Sequence, residues 1–277
     1  VALVRLQSPG DPATPAEDIF VDYLATLLSA LAAEGVLYKV AAVVKNVDIE
    51  APVNLGFQGD ADLRLTDRDV ILALRSVEIA SSTEHNYATA RVVNVGLNGE
   101  RITVPVLRGF VSVRATVRGK TVRFTTSHLE TLDDAATQSA QGRELIEQLD
   151  ILRNQEGLPH ILVGDFNSPA PPAQPAGETY GELIAAGFRD IDPGGPTCCH
   201  PPNLISDGVL LDHRIDLVLV RAAADGEAIR TGFAVIVGSD PVDRVRSPSP
   251  SGAHVLLWPS DHAGVVAKLV FESEETS

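Results

Sequence analysis

The chain has 277 residues, 44% of them hydrophobic, enough to bury a substantial core within one large domain. Its 22 Lys and Arg stand against 37 Asp and Glu, a formal charge of −15. That balance argues against electrostatic capture of nucleic acid, although it leaves room for a local basic cleft.

No apolar run approaches the ~20 residues of a membrane helix, so a soluble chain without a transmembrane segment is expected, cytoplasmic or secreted. "VALVRLQ", headed by Val1 in a chain with no Met, reads as a strand already under way. The chain is therefore expected to begin inside a domain, with any signal peptide out of view. The first helix is predicted over 14–35. Thr14 and Glu17 have capping-box spacing, Pro15 sits at the first helical position, and Gly35 supplies a stop. Phe20, Leu24, Leu27, Leu28 and Leu31 form its apolar stripe. Strands are predicted at 37–45, 69–74 and 87–95. In "VSVRATVRGKTVRF", Val111, Val113, Ala115 and Val117 alternate with Ser112, Arg114, Thr116 and Arg118, and Gly119-Lys120 is read as the hairpin turn. A second helix follows at 134–154, with Leu145, Leu149 and Leu152 on one face. Further strands are predicted at 160–164, 214–220 and 265–271, and Pro/Ser/Gly-rich loops at 168–177, 192–208 and 246–253. Many strands in hairpins, some apolar on both faces, imply an α/β (α+β) four-layer sandwich, two mostly antiparallel sheets flanked by helices.

The two cysteines are adjacent, Cys198 and Cys199, and His200 follows. Zinc pairs normally leave two to four residues between ligands, so CCH is a poor chelate. Neighbouring cysteines can form only a strained disulfide. Two small apolar side chains in a loop is the simpler reading.

"HILVGDFNSP" poses the functional question, because an apolar strand ends there on both an acid and an amide. Three other strands end similarly: "TTSHLE" at His128, "HRIDLVLV" with Asp216, and "PSDHAGVV" with Asp261 and His262. Each has a plain explanation. His128 could be a rim residue, Asp165-Phe166-Asn167 an Asx turn, and Asp261 a turn cap. Asp216 could pair with Arg214 or His213. Together these readings weaken, because an acid in the apolar run 215–220 costs several kcal/mol unless paired or metal-bound. Three carboxylates, two imidazoles and an amide at strand ends are the composition of a hard-metal phosphate site.

"SHLE", "GDFN", "RIDLVLV" and "SDHAGV" together resemble the endonuclease/exonuclease/phosphatase superfamily. They occur in its order, with 37, 51 and 45 residues separating His128, Asp165, Asp216 and Asp261. The resemblance covers essentially the whole chain and implies a phosphoester hydrolase working by in-line water attack. It implies that His128 contacts the scissile phosphate and that Asp165 aligns or deprotonates the water. Asn167 would bind a phosphate oxygen, and Asp216 would orient a histidine or help hold a metal. Asp261 would be a metal or histidine-orienting carboxylate, and His262 would stabilise the phosphoryl charge or act as base. Asp165, Asn167 and Asp261 are the implied ligands of Mg²⁺, or of Mn²⁺ or Ca²⁺.

Two earlier family motifs, an Asn on the first strand and the Glu of "LQE", are not seen. The expectation is one domain, 1–277, truncated ahead of Val1 and lacking its first strands and main metal acid, so that this chain alone would be inactive. The alternative places Ser8 of "RLQS" where Glu belongs, making an inactive binding or scaffold domain. A small or lipid phosphoester is favoured over duplex DNA by the charge, with a non-specific nuclease as the further enzyme reading, and a monomer is expected. Arg108, Arg114 and Arg123 could meet a phosphate, but a solvated strand face is the simpler reading. His85, Tyr87, Asp48 and Glu50 lie in segments that could border the site.

Overall fold

The computed structural model describes residues 1–8, 10, 14–54, 56, 59–97, 100–172, 177–226, 229–248 and 254–271. The chain divides into two compact units, residues 1–130 and 131–277.

In the first unit, β1 (Leu3–Gln7), β2 (Ile19–Asp22), β3 (Tyr38–Asn54) and β4 (Asp60–Leu74) form an antiparallel sheet in the order β2-β1-β4-β3. Strand β5 (Glu78–Asn86) leads into a separate hairpin of β6 (Arg91–Leu97) and β7 (Glu100–Val106). It then pairs with β8 (Gly109–Val117), which pairs in turn with β9 (Lys120–His128). Val44 and Ile71 of the first sheet pack on Val111, Val113 and Ala115 of β8. The two sheets therefore lie face to face, the sandwich arrangement expected. Each buried Val or Ile in such a layer stabilises by roughly 1.5–3 kcal/mol.

Both faces of β8 and β9 are covered, so polar alternation there does not mean exposure. Ser112, Thr125 and Ser127 are buried opposite the valines, and the Ser112 and Thr125 hydroxyls pair at 2.7 Å. Arg123 is buried too, which removes it from the solvated face expected for it, whereas Arg114 is exposed. The turn is Arg118-Gly119 rather than Gly119-Lys120. Both residues have positive φ, 51° and 80°, and Val117 faces Lys120, as a two-residue turn matched to strand twist requires.

The first helix is shorter than expected: α1 runs Tyr23–Ala33, capped by Asp22, whose carboxylate accepts from the Leu24 and Ala25 amides. Glu17 does not close a capping box. Its carboxylate pairs with Arg64 at 3.0 Å, and the Ala16 amide donates to Glu50. Residues 19–22 instead pair with β1, leaving Phe20 exposed. The strand expected at 87–95 is interrupted because Tyr87 turns inward and its hydroxyl pairs with Ser127 at 2.7 Å. His85 stacks near Phe110, and Asp48 is held by Arg64 and Arg5, so these residues serve packing and ion pairing.

In the second unit, α2 (Ala135–Glu156) buries Leu145 and Leu149 and ends at Gly157, whose left-handed φ of 69° forms the C-cap. Strand β10 (His160–Asp165), helix α3 (Glu178–Ala185), β11 (Arg189–Asp190) and β12 (Asp216–Arg221) follow, with strand order β11-β12-β10, all antiparallel. Helix α2 is tied to the end of β12 by Asp150–Arg221 at 2.6 Å and by Arg153 donating to the Ala222 and Ala223 carbonyls. Strand β13 (Ile229–Val237) was not anticipated. Nor was the hairpin of β14 (Val245–Pro248) with β15 (His254–Leu257), which takes part of the loop expected at 246–253. The remaining residues of that loop, 249–253, lie outside the described residues. Strand β16 (Gly264–Phe271) pairs with β13.

Candidate active site

Strand β10 supplies the mount. His160, Ile161 and Leu162 are buried, and the register pairs Asp165 directly with Asp216 at the start of β12. Gly164 adopts φ 145°, and Asn167 sits in the left-handed region at φ 49°. The Asn167 amide donates to Asp165 Oδ1 at 2.9 Å. The Asx turn is therefore real, and it also fixes the Asp165 carboxylate. Gln138 of α2 donates to the Asn167 carbonyl at 2.8 Å, locking the same turn from behind.

Asp216 is held by an interaction that leaves no mark in the sequence. The Thr197 hydroxyl accepts from the amides of Ile215 and Asp216, at 3.2 and 3.1 Å. The Ala263 amide donates to the Thr197 carbonyl at 2.7 Å, and the backbones of Cys198 and His262 pair as an isolated bridge. The segment carrying His262 is thus tied to the strand start carrying Asp216. His262 Nδ1 lies 2.9 Å from Asp216 Oδ2 and 4.0 Å from Asp165 Oδ2. The hydrogen bond that Nδ1–H donates to Asp216, reinforced by the charges of Asp216, Asp165 and Asp261 and only partly opposed by burial, pushes the imidazole up to about 9. At neutral pH His262 is a cation.

The partners foreseen for Asp216 are engaged elsewhere. Arg214 is buried and forks onto Asp190 at 2.6 and 3.1 Å, and His213 pairs with Asp212 at 2.5 Å. Asp261 behaves differently from the others: its carboxylate is exposed and accepts from the Ser260 hydroxyl at 3.3 Å, while its carbonyl accepts from the His200 amide. His200 is buried and stacks on Trp258, with ring centroids 4.0 Å apart. Burial holds that imidazole below its usual range.

Asp165, Asp216 and His262 each present a donor atom within 4.8 Å of the other two, a group able to hold a metal ion. Two carboxylates facing across paired strands suit a hard divalent ion, which takes one or two carboxylates and fills its remaining positions with water or substrate oxygens. Asp261 is not part of this group, although the sequence suggested it as a ligand.

His128 ends β9 in the first unit. Its Nδ1 lies 3.0 Å from Arg108 Nη1, and Arg108 and Arg91 both approach the buried Glu130, at 3.9 and 3.7 Å. Nearby, the Asn46 amide donates to Asp69 at 2.9 Å. Burial, with the Asp67 charge adding to it, raises Asp69 to about 6 against the Asn46 hydrogen bond.

A crystal structure of an endonuclease/exonuclease/phosphatase family protein from Bacteroides thetaiotaomicron superposes with a TM-score of 0.53 at 18% identity, over 91% of this chain and 82% of that one. The chain has the endonuclease/exonuclease/phosphatase fold. A mannosyl-6-phosphatase from Bacteroides thetaiotaomicron aligns at TM-score 0.49 and 16% identity, over 82% and 77% of the two chains. The human Nocturnin catalytic domain with bound sulfate aligns at 0.47 and 17%, over 91% and 77%. A scan against protein-family models finds no match, and neither does a search of curated proteins. Within the endonuclease/exonuclease/phosphatase fold of this chain, no described helix is long and apolar enough to cross a membrane.

Proposed function

We propose that the chain is a metal-dependent phosphoesterase that hydrolyses its substrate by in-line attack of water at phosphorus. The observation that carries this reading is the Asp216–His262 pair at 2.9 Å with the Asp165 carboxylate beside it. A cationic imidazole held by one carboxylate and flanked by a second keeps its positive charge at neutral pH with its ring plane fixed. It is a good device for phosphoryl transfer, where negative charge builds on equatorial oxygens.

Asp216 keeps the proton on His262 Nδ1 and sets the ring plane, so that Nε2–H is available to a phosphoryl oxygen. Asp165, whose carboxylate is fixed by the Asn167 amide, aligns a water and takes its proton. Asn167 offers a neutral donor to a second phosphate oxygen. Asp165 and Asp216 are the residues that would hold Mg²⁺, which when bound neutralises phosphate charge and lowers the barrier to displacement. The charge of −15 favours a small or lipid phosphoester over duplex DNA.

The test is a substrate panel: bis-p-nitrophenyl phosphate, p-nitrophenyl phosphate, phospholipid vesicles and plasmid DNA, each with Mg²⁺, Mn²⁺ or Ca²⁺ and with a chelator. Metal-dependent release from a small or lipid ester supports the proposal. DNA as the preferred substrate would make the chain a nuclease. No turnover with any metal would favour the binding-domain reading.

A further inference from the structure

The adjacent cysteines acquire a partner that the sequence hides. His200, next along the chain, is turned away and stacked on Trp258. His262, 63 residues distant, instead brings Nε2 to 3.9 Å from Cys199 Sγ. The donor atoms of Cys198, Cys199 and His262 all lie within 4.8 Å of one another. We propose that the reduced thiols of Cys198 and Cys199 and the Nε2 atom of His262, each releasing its proton to solvent as the ion binds, form a binding site for a soft or borderline divalent metal such as Zn²⁺.

Three features support this site. Zn–S near 2.3 Å and Zn–N near 2.0–2.1 Å in a tetrahedron place sulfur and nitrogen about 3.6 Å apart, close to the separation seen. His262 has its far nitrogen on Asp216, the carboxylate–histidine arrangement that orients metal-binding imidazoles and raises their basicity. The frame is also fixed: the Cys198 carbonyl accepts from the Asp212 and His213 amides at 2.6 and 2.9 Å, and the Cys198 backbone bridges to His262. Cys199 is exposed and His262 half-buried, so an ion can enter from solvent and water can fill the fourth position. In the structure the two sulfurs are joined as a vicinal disulfide, which offers no thiolate; a two-electron reductant such as a phosphine or a dithiol, with two protons, converts it to the dithiol that can bind the ion.

Hard Mg²⁺ does not compete for sulfur. An ion on Nε2 would occupy the atom that the proposed function aims at phosphate. Resting on that reading, the site acts as an off-switch, open to soft metal only when the cysteines are reduced.

The experiment uses the full chain stripped of metal, with the pair reduced by a phosphine, titrated with Co²⁺ and then Zn²⁺. Expected are a thiolate-to-cobalt charge-transfer band with tetrahedral visible bands, displaced by Zn²⁺ and absent from the oxidised chain. Cys199→Ser is expected to weaken binding by at least the roughly 10–100-fold that loss of a ligand-orienting group costs. No such band in the reduced chain, or unchanged affinity in Cys199→Ser, overturns the site. The optical readout needs no turnover, so it stands or falls separately from the proposed hydrolase. In a turnover assay, Zn²⁺ is expected to inhibit the wild type, a chelator to restore it, and Cys199→Ser to resist. Equal inhibition of both chains overturns the off-switch.

Discussion

Replacing Asp216 by Asn removes the charge that holds His262 while keeping a side chain of the same shape. In the wild type the imidazole is pushed from 6.5 to about 9, first by the Asp216 hydrogen bond. That gap is worth about 3 kcal/mol at 1.36 kcal/mol per pH unit. Solvent reaches about a quarter of each side chain, 26% and 23%, which trims the figure to roughly 2 kcal/mol. Because His262 binds its proton more tightly folded than unfolded, this stabilisation is complete below about pH 6.5. It is lost as pH rises through about 9. Asp216→Asn is therefore expected to destabilise the metal-free chain by about 2 kcal/mol at pH 6 and by little at pH 10, measured by urea unfolding. The His262 ring resonance should titrate near 9 in the wild type and at least about one unit lower in the variant. A wild-type midpoint near 6.5, or one unmoved by the substitution, would refute the pairing.

Asp69 carries a pH dependence of the same sign in a lower window. Burial raises it to about 6, so the neutral acid is favoured in the folded chain. Its stabilisation is full below about pH 4 and is lost as pH climbs through 6. Asp69→Asn should flatten that fall and leave the variant the more stable chain at pH 8, by up to about 3 kcal/mol in thermal or urea unfolding. Gly142→Ala in α2 should destabilise by about 1–3 kcal/mol instead of giving the usual gain of Ala in a helix, because the new Cβ would lie 2.4 Å from Thr179 Cγ2. The Arg108 guanidinium can only donate, so His128 Nδ1 must accept and the ring proton sits on Nε2. Nitrogen-15 shifts should show that tautomer in the wild type and a mixture in Arg108→Met.

What could be read from the sequence was local or strongly periodic. The apolar run of β10 and its polar end follow from adjacent residues, and the β8/β9 hairpin follows from a two-residue alternation. The four strand-end motifs also pointed to Asp165, Asp216 and His262 before their side chains could be seen together. The start of α1 was misread because Glu17 has the spacing of a cap but gives its carboxylate to Arg64, distant in sequence. Burial of Arg123 was missed because alternation signals which residues share a face without saying what covers it. Thr197 acts through a hydroxyl and Cys198 through backbone atoms, neither of which leaves a periodic or motif signal, so nothing marks them out. Asp261 shared a motif with His262, yet it sits in the bend ahead of β16, where its carboxylate accepts from the Ser260 hydroxyl instead of joining the group. Its carboxylate is accordingly in solvent.

The most direct measurement is kcat/KM for the best phosphoester of the panel, compared among wild type, His262→Ala and Asp165→Asn at saturating divalent metal. Each substitution removes a group aimed at charge that develops in the transition state. Each should therefore lower kcat/KM by about 100-fold or more, some 3 kcal/mol of barrier, with folding confirmed by circular dichroism. Hydrolysis that survives both substitutions undiminished would contradict the assignment of this site.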